Sequence, residues 1–302
     1  MAIINTRSFA KALLPGVHKW VGLEYKDYMP EYAEIFEKFK STKAFEEEVG
    51  VTGFGYAVVK TEGGGAYYDD MEQGFVQRYT HYVMALGFKI TREMFEDNQY
   101  MQLGLRKTKG LVFAMKQTKE VLFANILNRA FNDSYTYADG KELCATDHPN
   151  KSGGTWRNEL TTAADLSEDS LEQACLDIGA FETDRGMLIK VLPKKLVIPP
   201  ELEFDAARIL KSVQQSNTAN NDINALRTLS KVPGVAVNHY LTDADAWFVK
   251  TDCPDGLKYF QRREQEVTTD NDHETSNASY LISERFVPGV TDCRGLFGSP
   301  GV

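Results

Sequence analysis

The stretch from Thr91 to Asn132 contains no proline. It carries apolar residues at helical spacing: Met94, Met101, Leu105, Val112, Met115, Leu122 and Ile126, with Leu111, Val121 and Phe131 in a second stripe beside them. Intervals of three, four and seven place such side chains on one side of a helix. Thr91 suits an N-cap, Glu93 and Glu96 the first turns, and Arg129 the far end, the polarity that the helix dipole favours. A helix of roughly 40 residues is a rod of about 60 Å, longer than a compact domain of this size is wide. Gly104 and Gly110 are the points at which it would kink or divide. The stretch reads either as a pair of ordinary core helices or as one strut in an elongated subunit, and the flanking sequence has to decide.

At 302 residues the chain can bury a sizeable core and form one large or two modest domains. A net charge of -9 argues against a basic nucleic-acid-binding surface. Cys144, Cys175, Cys253 and Cys293 are scattered without a CxxC pair, which favours free thiols in a reducing compartment over a zinc site or a disulfide framework. The N-terminus has Arg7 and Lys11 but no apolar signal-peptide region, and no stretch reaches the ~18 apolar residues of a membrane span. The expectation is a soluble protein made in the cytoplasm.

Residues 1–28 read as an arm: Pro15-Gly16 breaks any helix, and Phe9, Trp20, Tyr25 and Tyr28 have no core of their own. Met29 to Lys43 reads as a helix with Pro30 in its first turn and Tyr32, Ile35, Phe36 and Phe39 as its stripe. From Val49 the period becomes two. Val51 to Lys60 is a strand candidate and Thr61 to Gly65 a flexible tip. Phe75 to Ile90 is a second, long strand, with Tyr82, Met84, Leu86, Phe88 and Ile90 on one side. Two arms of that length would project about 35–50 Å. A two-stranded ribbon cannot bury both faces by itself, so it rests on other surfaces, either other subunits or the rest of a larger sheet.

After the long helix, 132–158 is a loop rich in glycine, asparagine and aspartate, in which His148 beside Asp147 reads as a turn with a solvated side chain. Ser167 caps the next helix, stapled by Leu166 and Leu171, with Ala174, Cys175, Ile178 and Phe181 buried. Thr183 to Gly186 is a turn, Met187 to Leu192 and Leu196 to Ile198 are short strands, and Pro199-Pro200 opens a helix with Leu202, Ala206, Ile209, Leu210 and Val213 inside. This succession suggests a compact α/β domain. Gln214 to Asn224 is a polar loop; Val235 to Leu241 and Ala246 to Lys250 are strands. Leu257 to Thr268 is a strand carrying Lys258, Arg262, Arg263, Glu264 and Glu266, too charged for a core and therefore an edge or ribbon. Thr269 to Asn277 is an acidic, solvated turn that lacks the spacing of a calcium loop. Tyr280 to Val287 and Asp292 to Phe297 are the last strands.

No phosphate-binding, dinucleotide, zinc-protease, nucleophile-elbow or CxxC motif occurs. His18, His81, His148, His239 and His273 do not cluster, and the closeness of His239 to Asp243 and Asp245 assigns no hydrolase site. No catalytic, cofactor-binding or metal-ligating residue is expected, and the chain reads as a non-enzyme.

Particular strings then carry a resemblance: Arg78-Tyr79-Thr80-His81 leading into Gly87 to Met94; the loop from Cys144 to Asn158 with His148-Pro149-Asn150 and Gly153 to Asn158; Leu192 to Pro200 with Ala206 to Ser212; Trp247-Phe248-Val249; and Asp292 to Ser299. In this order the sequence resembles the tailed-bacteriophage major capsid proteins of the Hong Kong 97 fold, in particular Mu-like major head subunits. The resemblance implies an α+β chain with an N-terminal arm (1–50), an extended β-hairpin E-loop (51–90), a peripheral domain with a long spine helix (91–165 and 240–285) and an axial α/β domain (166–239 and 286–302). It implies a structural subunit that self-assembles into hexamers and pentamers of an icosahedral head enclosing double-stranded DNA, present in the virion and assembled in the bacterial cytoplasm. A shell protein of a nanocompartment, similar to encapsulins, is the alternative, and a soluble hydrolase a more distant one. The implied partners are other copies of the chain, a portal protein, a separate scaffolding protein, decoration proteins and a maturation protease, with no membrane. Some relatives cross-link an E-loop lysine to an asparagine; Lys60 lies in the ribbon, but no partner or catalytic glutamate is identifiable and no cross-link is expected.

Overall fold

The computed structural model describes residues 29–92, 101–214, 222–271 and 277–302. The expected arm and the central parts of the polar loop and the acidic turn lie outside these residues. So do Glu93, Met94 and Glu96.

The long helix, α2, runs unbroken from Met101 to Asn128. Its 28 residues make a rod of about 42 Å. Neither glycine divides it, because intact i→i−4 bonding tolerates an isolated glycine at a modest propensity cost. It ends where the Asn128 side chain donates to Tyr240 O and accepts from Thr242 N–H. Val112 and Met115 face inward as the spacing implies, but Val121 is exposed, and Phe123, Ala124 and Leu127, outside the expected stripe, are buried. Phe123 stacks on Tyr32 and Phe286 and meets Phe36 and Tyr259 edge-on. Truncating such a ring typically costs about 3–5 kcal/mol.

The expected helix over Met29–Lys43 is a single turn, α1 (Tyr32–Ile35), followed by strand β1 (Glu37–Lys40). The turn exists because the Glu120 carboxylate accepts from the N–H groups of Glu31 and Tyr32. It stops because Phe36 turns extended. β1 then pairs in parallel with β10 (Leu257–Asn271), which pairs antiparallel with β11 (Ala278–Val290), which pairs antiparallel with β4 (Tyr82–Ile90). This first sheet has the order β1-β10-β11-β4, and α2 lies against β11 and β4.

Two strand expectations change. The segment from Phe75 to Ile90 is two strands, β3 (Gln73–Thr80) and β4, parted at His81 because β3 pairs with β2 (Phe45–Val51) and β4 with β11. No strand runs through 52–60; the ladder with β3 lies before it in β2. The charged strand β10 is an edge over only part of its length. Leu257, Lys258, Tyr259, Phe260 and Gln261 are buried where it runs between β1 and β11, and beyond Gln261 it pairs with β11 alone, as the edge of a three-stranded β10-β11-β4 sheet. The edge reading holds for that outer part.

In the loop after α2, His148–Pro149 and Thr155–Trp156 form the small antiparallel pair β5 and β6. The second main sheet has the order β12-β9-β7-β8: β7 is Pro193–Ile198, β8 Val235–Val237, β9 Trp247–Thr251 and β12 Leu296–Ser299. It is covered by α3 (Glu168–Gly179), α4 (Glu203–Lys211) and α5 (Ala225–Leu229) through Leu171, Ala174, Ile178, Ala206 and Leu226. Ser167 caps α3 by accepting from Ser170 N–H, as expected. Met187–Leu192 makes only an isolated bridge from Leu188 to Glu182 rather than a strand, and Val213 is exposed. The chain leaves this sheet at Thr251, builds β10 and β11, and returns as β12. Gly256 and Gly295 permit that return, since a Cβ on Gly295 would stand 2.5 Å from Gly256 Cα. One core cluster joins the sheets, with Phe123, Tyr259 and Phe286 at one end and Val197, Phe248 and Leu296 at the other.

Candidate assembly surfaces and the polar locks beneath them

Between β2 and β3 the chain runs out and back through residues 52–72. The ladder ends where Thr52 and Glu72 bond through Thr52 N–H to Glu72 O and Glu72 N–H to Thr52 Oγ1. Glu62–Gly63 forms the tip, closed by Gly64 N–H donating to Thr61 O, and Gly63 has φ +76°, a conformation open to glycine without strain. Along both limbs large apolar groups face solvent: Phe54, Tyr56, Val58, Val59, Tyr67, Tyr68 and Met71. Val59 is 91% exposed and Tyr68 89%. A monomer rarely leaves so continuous an apolar set uncovered, and such a surface marks an interaction site. Residues 52–72 thus project from a ladder that is regular only at its base, whereas the second limb expected to reach Ile90 divides at His81 and its outer half, β4, lies in the first sheet.

One clasp ties the ribbon to the second half of the chain. Arg185, in the Thr183–Gly186 turn, donates to both carboxylate oxygens of Asp69 at 3.0 and 3.3 Å and also reaches Asp70 O. Asp69 Oδ2 accepts from Gly55 N–H at 2.8 Å as well. That backbone bond, followed by the bonds from Asp70 N–H and Arg185, holds the Asp69 carboxyl below its ordinary pKa.

A second exposed surface is the outer edge of the first sheet. Its two edge strands differ. β1 reads Glu-Lys-Phe-Lys, the charged kind of edge that discourages pairing. β4 is nine residues long and leaves Tyr82, Val83 and Leu86 exposed.

Beneath these surfaces the chain is fixed by desolvated polar groups. At the ribbon base, Lys258 is buried and its ammonium lies 2.5 Å from Glu48 and 2.8 Å from Asp255. Glu48 also accepts from Thr291, which bonds Tyr79. The Tyr79 ring fills the space over Gly289 that any Cβ would occupy, and burial raises its hydroxyl pKa. Behind α2, Lys119 pairs with Glu284 and donates to Gln261 at 3.2 Å, all three buried. Burial lowers the Lys119 pKa, and Glu284 opposes that shift.

The third lock overturns the reading of His148 as a solvated turn residue. It is fully buried, stacked on Trp156 at 4.5 Å, with Nδ1 2.5 Å from Asp139 and Nε2 2.9 Å from Asn158 Oδ1. Asn158 is a hub: its Nδ2 donates to Leu143 O, Cys293 O and Leu296 O, and its Oδ1 accepts from Ala145 N–H. Neighbouring Asp147 pairs with Lys141 at the surface. His239 instead bonds the Glu31 carboxylate, and Asp243 accepts from Asp245 N–H, so these three do not meet as a hydrolase site.

The comparisons agree with this architecture. The sequence matches the family described as "Phage capsid protein" over residues 76–298. The chain belongs to that family. The match spans nearly all of the strings that carried the resemblance. No curated protein sequence matches the chain. Among solved structures, one from Mycobacterium phage Patience aligns with a TM-score of 0.60 at 11% identity, covering 99% of this chain and 92% of that one. The capsid of the cyanophage P-SCSP1u aligns at 0.58 and 8% identity, covering 89% and 86%. The capsid of a native GTA particle aligns at 0.53 and 11% identity, covering 89% of each chain. At such identities the likeness establishes the fold, the Hong Kong 97-like capsid fold, while the family match establishes the role. This capsid protein is a structural subunit of a virion shell and associates with copies of itself. Among the described residues, no helix is long and apolar enough to cross a membrane.

Proposed function

We propose that this capsid protein assembles as hexamers and pentamers into an icosahedral head that encloses double-stranded DNA, with each ribbon lying over a neighbouring subunit. The observation that carries the reading is the outward apolar ribbon of residues 52–72, whose Val59 and Tyr68 are left almost wholly exposed by the described residues. In this reading α2 is the spine of a peripheral domain with the first sheet, the second sheet and its helices form the axial domain, and the ribbon is the E-loop. The net charge of -9 suits a wall that holds DNA without neutralising its phosphates. The same reading gives the shell a portal, a scaffolding protein, decoration proteins and a maturation protease as partners, the bacterial cytoplasm as its place of assembly, and no catalytic role of its own. Weak contacts between subunits gain strength from closed symmetry and multiplicity.

Electron microscopy of purified particles, with extraction of nuclease-protected nucleic acid, tests this. Icosahedral shells containing double-stranded DNA are expected. Small shells loaded with protein cargo and free of DNA would transfer the chain to nanocompartments. A stable monomer under all assembly conditions would overturn the reading.

A further inference from the structure

The geometry points to a zinc site formed by Asp139, His148 and Cys293, between the loop after α2 and the turn that precedes β12. One ligand atom from each of these three lies within 4.8 Å of the other two. His148 and Cys293 are buried, and Asp139 is partly so. This departs from the sequence expectation of no metal, because the three are separated along the chain and only the return of the chain through Cys293 brings the thiol to the loop.

Asn158 fixes the imidazole for ligation. Its Nδ2 faces three carbonyl oxygens at 2.7–3.0 Å, so its Oδ1 must face Ala145 N–H and His148 Nε2. An amide oxygen only accepts, so Nε2 carries a hydrogen, and Nδ1 is the nitrogen turned toward Asp139. A metal-bound histidine is usually oriented in this way, by donating its other N–H to an outer oxygen. The ring is also clamped against Trp156, which Arg294 covers on a cation–π contact. The Arg294 charge is offset by Asp292 and Asp184.

The donor set of imidazole nitrogen, thiolate and carboxylate selects zinc over calcium or magnesium, which prefer all-oxygen sites. Asp139 and Cys293 also line a cavity of about 690 Å³, which has room for a water as the fourth ligand. Zinc binding replaces the hydrogen bond between His148 Nδ1 and Asp139 and releases the Cys293 thiol proton to solvent. The bound ion joins the loop to the turn before β12, so it staples the last strand of the second sheet.

The test uses the full chain, dialysed after exposure to zinc, with metal content measured by mass spectrometry. Cobalt(II) as a spectroscopic substitute reports a sulfur ligand. The expected result is one zinc per chain, a sulfur-to-cobalt charge-transfer band, loss of both in Cys293→Ser, and retention of both in the control Cys144→Ser. If Cys293→Ser does not fold, the stoichiometry and band of the wild-type chain still decide. Wild-type protein that retains no zinc and shows no band, or a band that survives Cys293→Ser, would overturn the site and leave an Asp139–His148 pair alone.

Discussion

Replacing Val59 and Tyr68 together by serine separates the energy of assembly from the energy of folding. Both side chains are about nine-tenths exposed in the single chain, so almost all of their burial is available to a neighbouring subunit. Burying side chains of this size contributes about 1.5–3 kcal/mol each. Immobilising them at an interface costs about 0.5–1.5 kcal/mol each. The net loss on substitution is therefore about 3 kcal/mol per subunit. At 1.4 kcal/mol per factor of ten, the subunit concentration needed for assembly should rise about 100-fold. The unassembled chain should melt as the wild type does, because substitutions at exposed positions away from caps and networks shift stability by about 0.5 kcal/mol or less. Sedimentation velocity over a concentration series reads the first quantity, and a thermal melt of the unassembled chain reads the second. Unchanged assembly would show that the ribbon is not covered by a neighbour. A fall in monomer melting as large as the loss of assembly would show that the ribbon is already covered within its own chain.

Lys119→Met strands Glu284 in the core and should destabilise the chain by about 3–5 kcal/mol in denaturant titration, whereas Lys119→Met with Glu284→Leu should recover most of it. Asn158→Ala leaves three carbonyl groups, the Ala145 N–H and His148 Nε2 without their partner, and a loss of about 3 kcal/mol or more is expected by the same titration. Glu159 has its carboxyl raised to about 7, first by burial and then by Glu142. The folded state thus binds the extra proton between the ordinary carboxylate value and about pH 7, and stability falls as pH rises through that window. Glu159→Gln should match the wild type below about pH 4 and exceed it above pH 7 by about 1 kcal/mol, since solvent screens this half-buried group; melting curves across pH check it.

The period of α2 was readable from sequence, yet its deepest face was not. The inward face includes Lys119 and Glu120, and a hydrophobic stripe drawn around those charges shifts toward Val121, which is exposed, and away from Phe123 and Leu127. Both charges are tolerated inside because distant groups satisfy them: Glu284 and Gln261 for Lys119, and the N–H groups of Glu31 and Tyr32 for Glu120. The same non-locality explains α1. Tyr32, Ile35 and Phe36 have helical spacing for one turn, and only the parallel pairing of β1 with β10 converts residues 37–40 to strand. The break at His81 leaves no mark in the alternation, because a change of partner alters neither the period nor the residue types. The outward ribbon was legible because its uncovered apolar residues are local, whereas the Asn158 hub was not, because its acceptors lie up to 138 residues away.

The ribbon's freedom to adjust to a neighbour is set by where its own bonds stop. At His81, where one sheet passes into the other, the imidazole Nε2 bonds Ser41 Oγ, which donates to Glu46 at 2.7 Å. Lys258, Glu48, Thr291 and Tyr79 lock the next level outward. The Thr52–Glu72 pair closes the ladder. Beyond it Arg185 and Asp69 make the clasp across to the second half of the chain. A ribbon of this construction bends outside Thr52 and Glu72 rather than at its root, because bending at the root would strand buried charges. Arg185→Ala should therefore speed hydrogen exchange at residues 53–71 while leaving 45–51 and the global melting transition unchanged. Faster exchange spreading into β2 would show that the clasp supports the base as well, and no change anywhere would show that the bond to Gly55 N–H alone holds Asp69 and its limb in place.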